Sequence, residues 1–250
     1  MNAKNGHQYA MVIDLDRCIG CHACALACRA EWQVPVPYRR NWLKRLGPEK
    51  TPYGISQTFY PGLCNHCDAP ACITVCPVDP EEREFRCPDT GKTIKMAVRA
   101  TYKEPFTGIV LIDKERCIGC GACVEACPYG ARYLNEELDE PKADKCTFCF
   151  ERIRYGEPPA CVKTCVADAR IFGDLTDKNS EVYKLVKKGA IRLRTKEVDL
   201  GPNVYYIGQK KDLHLLKETC APRERTWENV KAPDRRRIIM AIAKQLRNLG

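Results

Sequence analysis

Cys117-Ile-Gly-Cys-Gly-Ala-Cys-Val-Glu-Ala-Cys127, followed at once by Pro128, decides how this 250-residue chain is read. Three cysteines spaced C-x2-C-x2-C can wrap one iron–sulfur cluster from a single loop. The fourth, after x3 and before proline, is carried away toward a second cluster. A fourth ligand directed elsewhere needs a partner run, and the chain contains one. Ile13-Asp-Leu-Asp-Arg-Cys-Ile-Gly-Cys-His-Ala-Cys24 repeats Ile112-Asp-Lys-Glu-Arg-Cys-Ile-Gly-Cys-Gly-Ala-Cys123 at an offset of 99 residues. Cys28 then stands where Cys127 stands, although Arg29 replaces the proline.

Two stretched versions complete the set. Cys64-x2-Cys67-x4-Cys72-x3-Cys76 ends in Pro77, and Cys146-x2-Cys149-x11-Cys161-x3-Cys165 ends in Val166. These four groups use sixteen of the 18 cysteines. Cys87 and Cys220 have no neighbour at ligand spacing and read as ordinary thiols. Compact grouping in a chain of this length argues against a disulfide framework, which belongs to small scaffolds of oxidising compartments. It also argues against a zinc-binding or nucleic-acid module, because a fourth cysteine in C-x3-C-P has no zinc rationale.

The formal charge of +9 counts every cysteine as neutral. A four-iron cluster with four thiolate ligands carries about −2, so four of them contribute about −8 and nearly cancel it. Arg17, Arg29, Arg116 and Lys145, all close to cysteine groups, are read as part charge compensation and part solvated surface. No stretch approaches the roughly 18 apolar residues of a membrane span, and the N-terminus shows no apolar export segment. Arg39-Arg40 lies inside the chain and is not an export signal.

Runs of this type make two clusters by exchanging their fourth cysteines. Loop length favours the second and third groups as an inner pair, with the first and fourth closing around it. One cluster is then expected from Cys18, Cys21, Cys24 and Cys165, and a second from Cys146, Cys149, Cys161 and Cys28. A third takes Cys64, Cys67, Cys72 and Cys127, and a fourth Cys117, Cys120, Cys123 and Cys76. The fold class expected is α+β: two ferredoxin-like 2[4Fe-4S] units related by internal pseudo-symmetry. The outer unit comprises residues 1–62 and 145–207, the inner unit 63–144, and 208–250 forms a C-terminal extension. Gly20, Gly119 and Gly121 read as turn formers that also let backbone amides approach sulfur, and Pro77 and Pro128 as fixing the chain after an exchanged cysteine. His22 and His66 are read as non-ligands, since the cysteine sets are complete without them.

Between the groups, Tyr9 to Leu15, Ile109 to Asp113, Arg170 to Leu175 and Val204 to Ile207 read as strands. Ala23 to Gln33 and Asn179 to Lys187 read as short helices, the latter stopped at Gly189. Pro35, Pro37 and Pro48 predict a loop, and Asp79 to Arg99, rich in charge, an irregular inserted loop. From Pro233 to Leu249, Ile239, Ile242, Leu246 and Leu249 mark an amphipathic helix opposite a basic face.

The order of the groups, with Leu63-Cys-Asn-His-Cys67, Ala71-Cys72, Gly108-Ile-Val-Leu-Ile-Asp113, Cys127-Pro-Tyr-Gly-Ala-Arg132, Lys145-Cys-Thr-Phe-Cys149 and Pro159-Ala-Cys161, carries a family resemblance. Over roughly Tyr9 to Ile207 the chain resembles the four-cluster electron-transfer subunit of the dimethyl sulfoxide reductase superfamily, of the polysulfide, thiosulfate, tetrathionate and arsenate reductase type. The resemblance implies the exchanged ligation given above. It also implies four [4Fe-4S] clusters, since the position that is tryptophan in nitrate reductase relatives is a cysteine here. It further implies a molybdenum- or tungsten-pterin catalytic subunit on one side and a membrane-integral quinone-reactive subunit or other carrier on the other. No catalytic site of its own is expected, because clusters held by four cysteines relay single electrons without an open coordination site. A relay subunit of a molybdenum-free quinone-linked complex, such as a cytochrome or hydrogenase assembly, is the alternative. Association with a membrane is expected only through partners, on the periplasmic face by co-export or in the cytoplasm.

Overall fold

The computed structural model describes residues 6–194 and 199–220. The first half of the chain runs through β1 (Tyr9–Asp14), α1 (Ala23–Trp32), a long hairpin of β2 (Asn41–Thr51) and β3 (Gly54–Leu63), and the one-turn α2 (Ala71–Thr74). A second hairpin, β4 (Glu81–Arg86) and β5 (Thr93–Val98), precedes the short pair β6 (Thr101–Lys103) and β7 (Val110–Ile112). The second half contains α3 (Ala122–Glu125), the pair β8 (Arg132–Asn135) and β9 (Lys142–Lys145), then α4 (Phe150–Ile153) and α5 (Ala160–Lys163). It ends with β10 (Arg170–Asp174), α6 (Glu181–Lys187), β11 (Ile191–Arg192), β12 (Val204–Ile207) and α7 (Lys210–Cys220). This is the expected α+β architecture, with mostly short helices and small sheets.

The largest sheet among the described residues has the order β10-β1-β12-β11. Its centre is β1, antiparallel to β10 and parallel to β12. Ala10, Met11, Val12 and Ile13 are fully buried, so both faces of this strand are covered, as its unbroken apolar run requires. The pairing of Ile13 with Arg170 ties the approach to the first cysteine group to the exit from the fourth. In the same division, α1 packs on α5, joining the first and fourth groups, and α2 packs on α3, joining the second and third.

Two expectations need correction. The segment around Pro48 is not a loop but part of the β2–β3 hairpin, whose register shifts between Leu46 and Glu49. Gly47, at φ +79°, and Pro48 occupy that irregularity, and in a two-stranded hairpin one edge has no ladder to lose. Asp79 to Arg99 is likewise ordered: Glu81 to Arg86 pairs with Val98 to Thr93. Only Phe85 and Val98 of this hairpin's strands are buried, which is why its charged sequence hid the alternation. Cys87 is buried at its turn. Beyond Gly208, α7 packs on β2 and β3, with Asp212 accepting a 2.5 Å hydrogen bond from Ser56 Oγ. The helix expected from Pro233 to Leu249 lies outside the described residues.

His7 fastens the chain just before β1. Its ring nitrogens lie 2.6 Å from Asp174 at the end of β10 and 2.7 Å from Asp89 in the β4–β5 turn. Both partners can only accept when ionised, so both nitrogens carry protons. Burial alone would lower the histidine's pKa, but the two carboxylates outweigh it and raise it above the ordinary value. A raised folded-state pKa contributes stability that is fully present below the unfolded value of about 6.5 and is lost as pH rises through the folded value. Thermal unfolding of the holoprotein should therefore show wild type above His7→Gln by most below pH about 6.5, the gap closing toward alkaline pH; a gap independent of pH would refute the ion-pair account.

Candidate metal centres

The same local geometry delivers the first cysteine of two groups. Asp14 Oδ1 accepts from the N–H groups of Asp16 and Arg17 at 3.0 and 3.3 Å, and Cys18 N–H donates to the Asp14 carbonyl at 3.2 Å. Asp113 does the same for Glu115, Arg116 and Cys117 at 3.1, 3.3 and 3.1 Å. Side-chain acceptance by Asp replaces the ladder bonds that end with the strand and turns the chain toward the loop. Every group then starts a helix with Ala-Cys: Ala23-Cys24, Ala71-Cys72, Ala122-Cys123 and Ala160-Cys161. In the compact runs the residue before that alanine is left-handed, His22 at φ 61° and Gly121 at φ 76°. In the stretched runs it is Pro70 or Pro159, whose fixed φ prepares the helix start. Four residues after the third cysteine the chain reaches the fourth, one helical turn along.

These turns bring the thiols together. Cys18, Cys21, Cys24 and Cys165 line one small cavity with Arg170. Cys28, Cys146, Cys149 and Cys161 line another with Trp32, Arg40 and Phe148. Cys67 has Cys64, Cys72 and Cys127 as its electrostatic neighbours, and Cys120 has Cys123, Cys76 and Cys117. All 18 cysteines are free thiols. Burial, reinforced by neighbouring thiols, pushes Cys28 up to about 12. Cys120 rises to about 11 for the same reasons, burial first. Such thiols ionise only when a metal takes the place of the proton. Among the described residues no three His, Cys, Asp or Glu side chains converge on a single ion. Rings of thiols around a space suit a cluster in which each cysteine binds a different iron.

Hydrogen bonds and charges surround the rings. The N–H groups of Ala131, Ala143, Phe148 and Ala169 donate to the sulfurs of Cys127, Cys117, Cys146 and Cys165 at 3.3 to 3.5 Å. Trp32 Nε1–H donates to Cys149 Sγ at 3.4 Å. Arg40 stacks on the Trp32 ring and makes a two-point pair with Asp144 at 3.0 Å. His66 is fully buried, accepts at Nδ1 from Val110 N–H at 3.1 Å and stacks on Phe148. Burial, then the positive charges of Lys145, Arg132 and Lys103, hold His66 neutral, and its Nε2 has no partner among the described residues.

Of the basic residues singled out from sequence, only Lys145 is buried beside the rings. Arg17 is exposed and pairs with Asp14. Arg29 donates to the carbonyls of Val34 and Tyr38, and Arg116 to those of Val98 and Asp79. Sequence reasoning missed Arg132 and Arg170, both buried. The available signal was their common position, Ala-Arg ending a Cys-x4-Arg step after Cys127 and Cys165.

Profiles described as a 4Fe-4S dicluster domain match residues 55–175 and, separately, residues 17–79. The chain is 39% identical over 205 residues to a tetrathionate reductase subunit of Salmonella typhimurium, covering 81% of this chain and 73% of the relative. It is 41% identical to the protein of the same name from Archaeoglobus fulgidus, covering 82% and 84%. To the thiosulfate reductase electron transfer subunit PhsB of Salmonella typhi it is 38% identical, covering 77% and 94%. The chain belongs to the iron–sulfur subunits of the dimethyl sulfoxide reductase superfamily. As an iron–sulfur subunit it holds four [4Fe-4S] clusters and relays single electrons through them. The clusters supply one-electron chemistry; the chain supplies burial, hydrogen bonds and spacing.

The indole N–H at Cys149 stabilises added negative charge on that sulfur. Trp32→Phe leaves an aromatic ring, smaller than the indole, and removes the donor. In this iron–sulfur subunit the substitution should lower one cluster's potential by up to about 60 mV, a tenfold change in a one-electron equilibrium, at unchanged iron content. A redox titration followed by electron paramagnetic resonance reads it, and four unaltered potentials would count against the hydrogen bond's influence.

Proposed function

We propose that the four rings are the four ligand sets, in the exchanged arrangement, and that the chain is built as an outer unit of the first and fourth groups around an inner unit of the second and third. The packing of α1 on α5 and α2 on α3 supports this division. The rings also follow one another: Cys161 is an electrostatic neighbour of Cys24 in the first ring, and Cys146 of Cys64 in the third. That succession is the observation that carries the reading of the chain as a wire between partners. At one end Cys21 is exposed, with Ile19 and Val166 exposed beside it, as a terminal contact with another subunit requires.

The complex is a molybdenum- or tungsten-pterin oxidoreductase, with this chain passing electrons between its catalytic subunit and a membrane quinone-reactive subunit. Three kinds of support converge: relatives named as reductase subunits, all-thiol rings with no open ligand position, and a described structure in which no helix is long and apolar enough to cross a membrane. Membrane association then comes through a partner. Purifying the native complex and measuring its metals tests this. Iron together with molybdenum or tungsten is the expected result; haem without either metal would favour the cytochrome or hydrogenase type of assembly.

Ligand exchange has its own test. Cys76→Ser should alter the spectroscopic signal of the cluster whose other ligands are Cys117, Cys120 and Cys123. Loss instead of the cluster held by Cys64, Cys67 and Cys72 would show that the runs do not exchange.

A further inference from the structure

Three cations are buried beside the rings without a carboxylate partner among the described residues: Arg132, Lys145 and Arg170. Arg170 Nη2 donates to Asn41 Oδ1 at 3.1 Å, and Arg132 Nη1 to Thr101 Oγ1 at 3.3 Å. Arg132 Nη2 has no partner among the described residues. Among the described residues Lys145 Nζ donates to the carbonyls of Val110 and Cys146. Moreover, Arg132 and Lys145 are directly opposed across the β8–β9 ladder. Like charges facing each other are unfavourable even on a surface, and buried they need a compensating anion close by.

The two arginines occupy equivalent places. Each opens a strand, β8 or β10, five residues after a fourth cysteine, and each follows an alanine whose N–H donates to that cysteine's sulfur. Each also reaches two rings. Arg170 lines the cavity of Cys18, Cys21, Cys24 and Cys165, while its Nη1 lies 3.9 Å from Cys161 Sγ of the neighbouring ring. Arg132 has thiols of both rings among its electrostatic neighbours, Cys72, Cys64 and Cys127 of the third and Cys123 of the fourth. Lys145 sits at the junction, next in sequence to Cys146 and interacting with Cys64.

We propose that Arg170 and Arg132 are shared tuning cations, each set between the two clusters of one unit and raising both potentials together, with Lys145 serving the junction between units. A reduced cluster carries one more negative charge than an oxidised one, so a fixed cation beside it favours the reduced form. Because guanidinium stays protonated, this bias is permanent. Sharing keeps two adjacent potentials aligned, which suits a relay that must run without a trap at either member.

The proposal rests on the ligand sets given above, and its test separates the two. In the purified complex, redox titration by electron paramagnetic resonance should show Arg170→Met moving two clusters to more negative potential and leaving two in place. Arg132→Met should move the other two. Iron content should remain that of wild type, and Arg→Lys should restore most of each shift. Unchanged potentials at full iron content, or an equal shift of all four clusters, would overturn the proposal. If the methionine variants lose iron, Arg→Gln variants, which keep polar donors but not the charge, decide: they must move the same two clusters to more negative potential, and unmoved potentials overturn the idea. Wrong ligand sets would instead appear as the wrong signal in Cys76→Ser, while the arginine shifts still fell on two clusters at a time.

Discussion

The constraint on which the rest depends is that four anionic clusters must sit inside a chain of ordinary size. Each carries about −2 with its thiolates, and charge of that size in a low-dielectric interior is tolerated only beside fixed positive charge and oriented N–H groups. The protein answers with both. Backbone amides aim at sulfur after the turns, the Trp32 indole donates to Cys149, and three cations are buried where no described carboxylate meets them. The basic surplus of the sequence is therefore partly internal. A buried arginine with an unpartnered nitrogen would be a defect in an apolar core; between clusters it is a counterion.

The same constraint explains why secondary structure is so sparse around the rings. Each run needs three cysteines in a loop and a fourth one helical turn later, so most helices beginning at Ala-Cys are a single turn and their stability comes from what they pack on. Stability is concentrated elsewhere, in β1 with its fully buried residues and in the hairpin covered by α7. Strands from distant parts of the chain thus close around groups that have little regular structure of their own.

The cysteine spacing was fully legible because ligand geometry leaves few ways to arrange it. So were β1, α1, β7, β10, α6 and β12, where apolar runs and stop signals agree with the tertiary context. The hairpins were not. Pro48 reads as a breaker, yet a two-stranded ribbon has a free edge where proline costs no ladder bond. Glu81 to Arg86 reads as loop because so little of its surface is buried. Arg132 and Arg170 escaped for another reason: a basic residue near a cysteine group reads the same whether buried or solvated, and only a comparison of the two Cys-x4-Arg steps sets these apart. Arg116, equally close to a cysteine, spends its charge on carbonyls and on Glu81 at the base of the β4–β5 hairpin.

Topology gives the two arginines their distribution. Both follow runs in the second half of the chain, the third and fourth groups, and no arginine stands five residues after Cys28 or Cys76, where Gln33 and Glu81 are found. If the runs paired in sequence order, first with second and third with fourth, both cations would fall in one unit and the other would have none. Nested pairing takes one run from each half for each unit, so each pair of clusters receives one arginine. The nesting that the packing of α1 on α5 and α2 on α3 supports therefore does more than close the fold. It converts a charge pattern confined to half of the sequence into an even one along the wire.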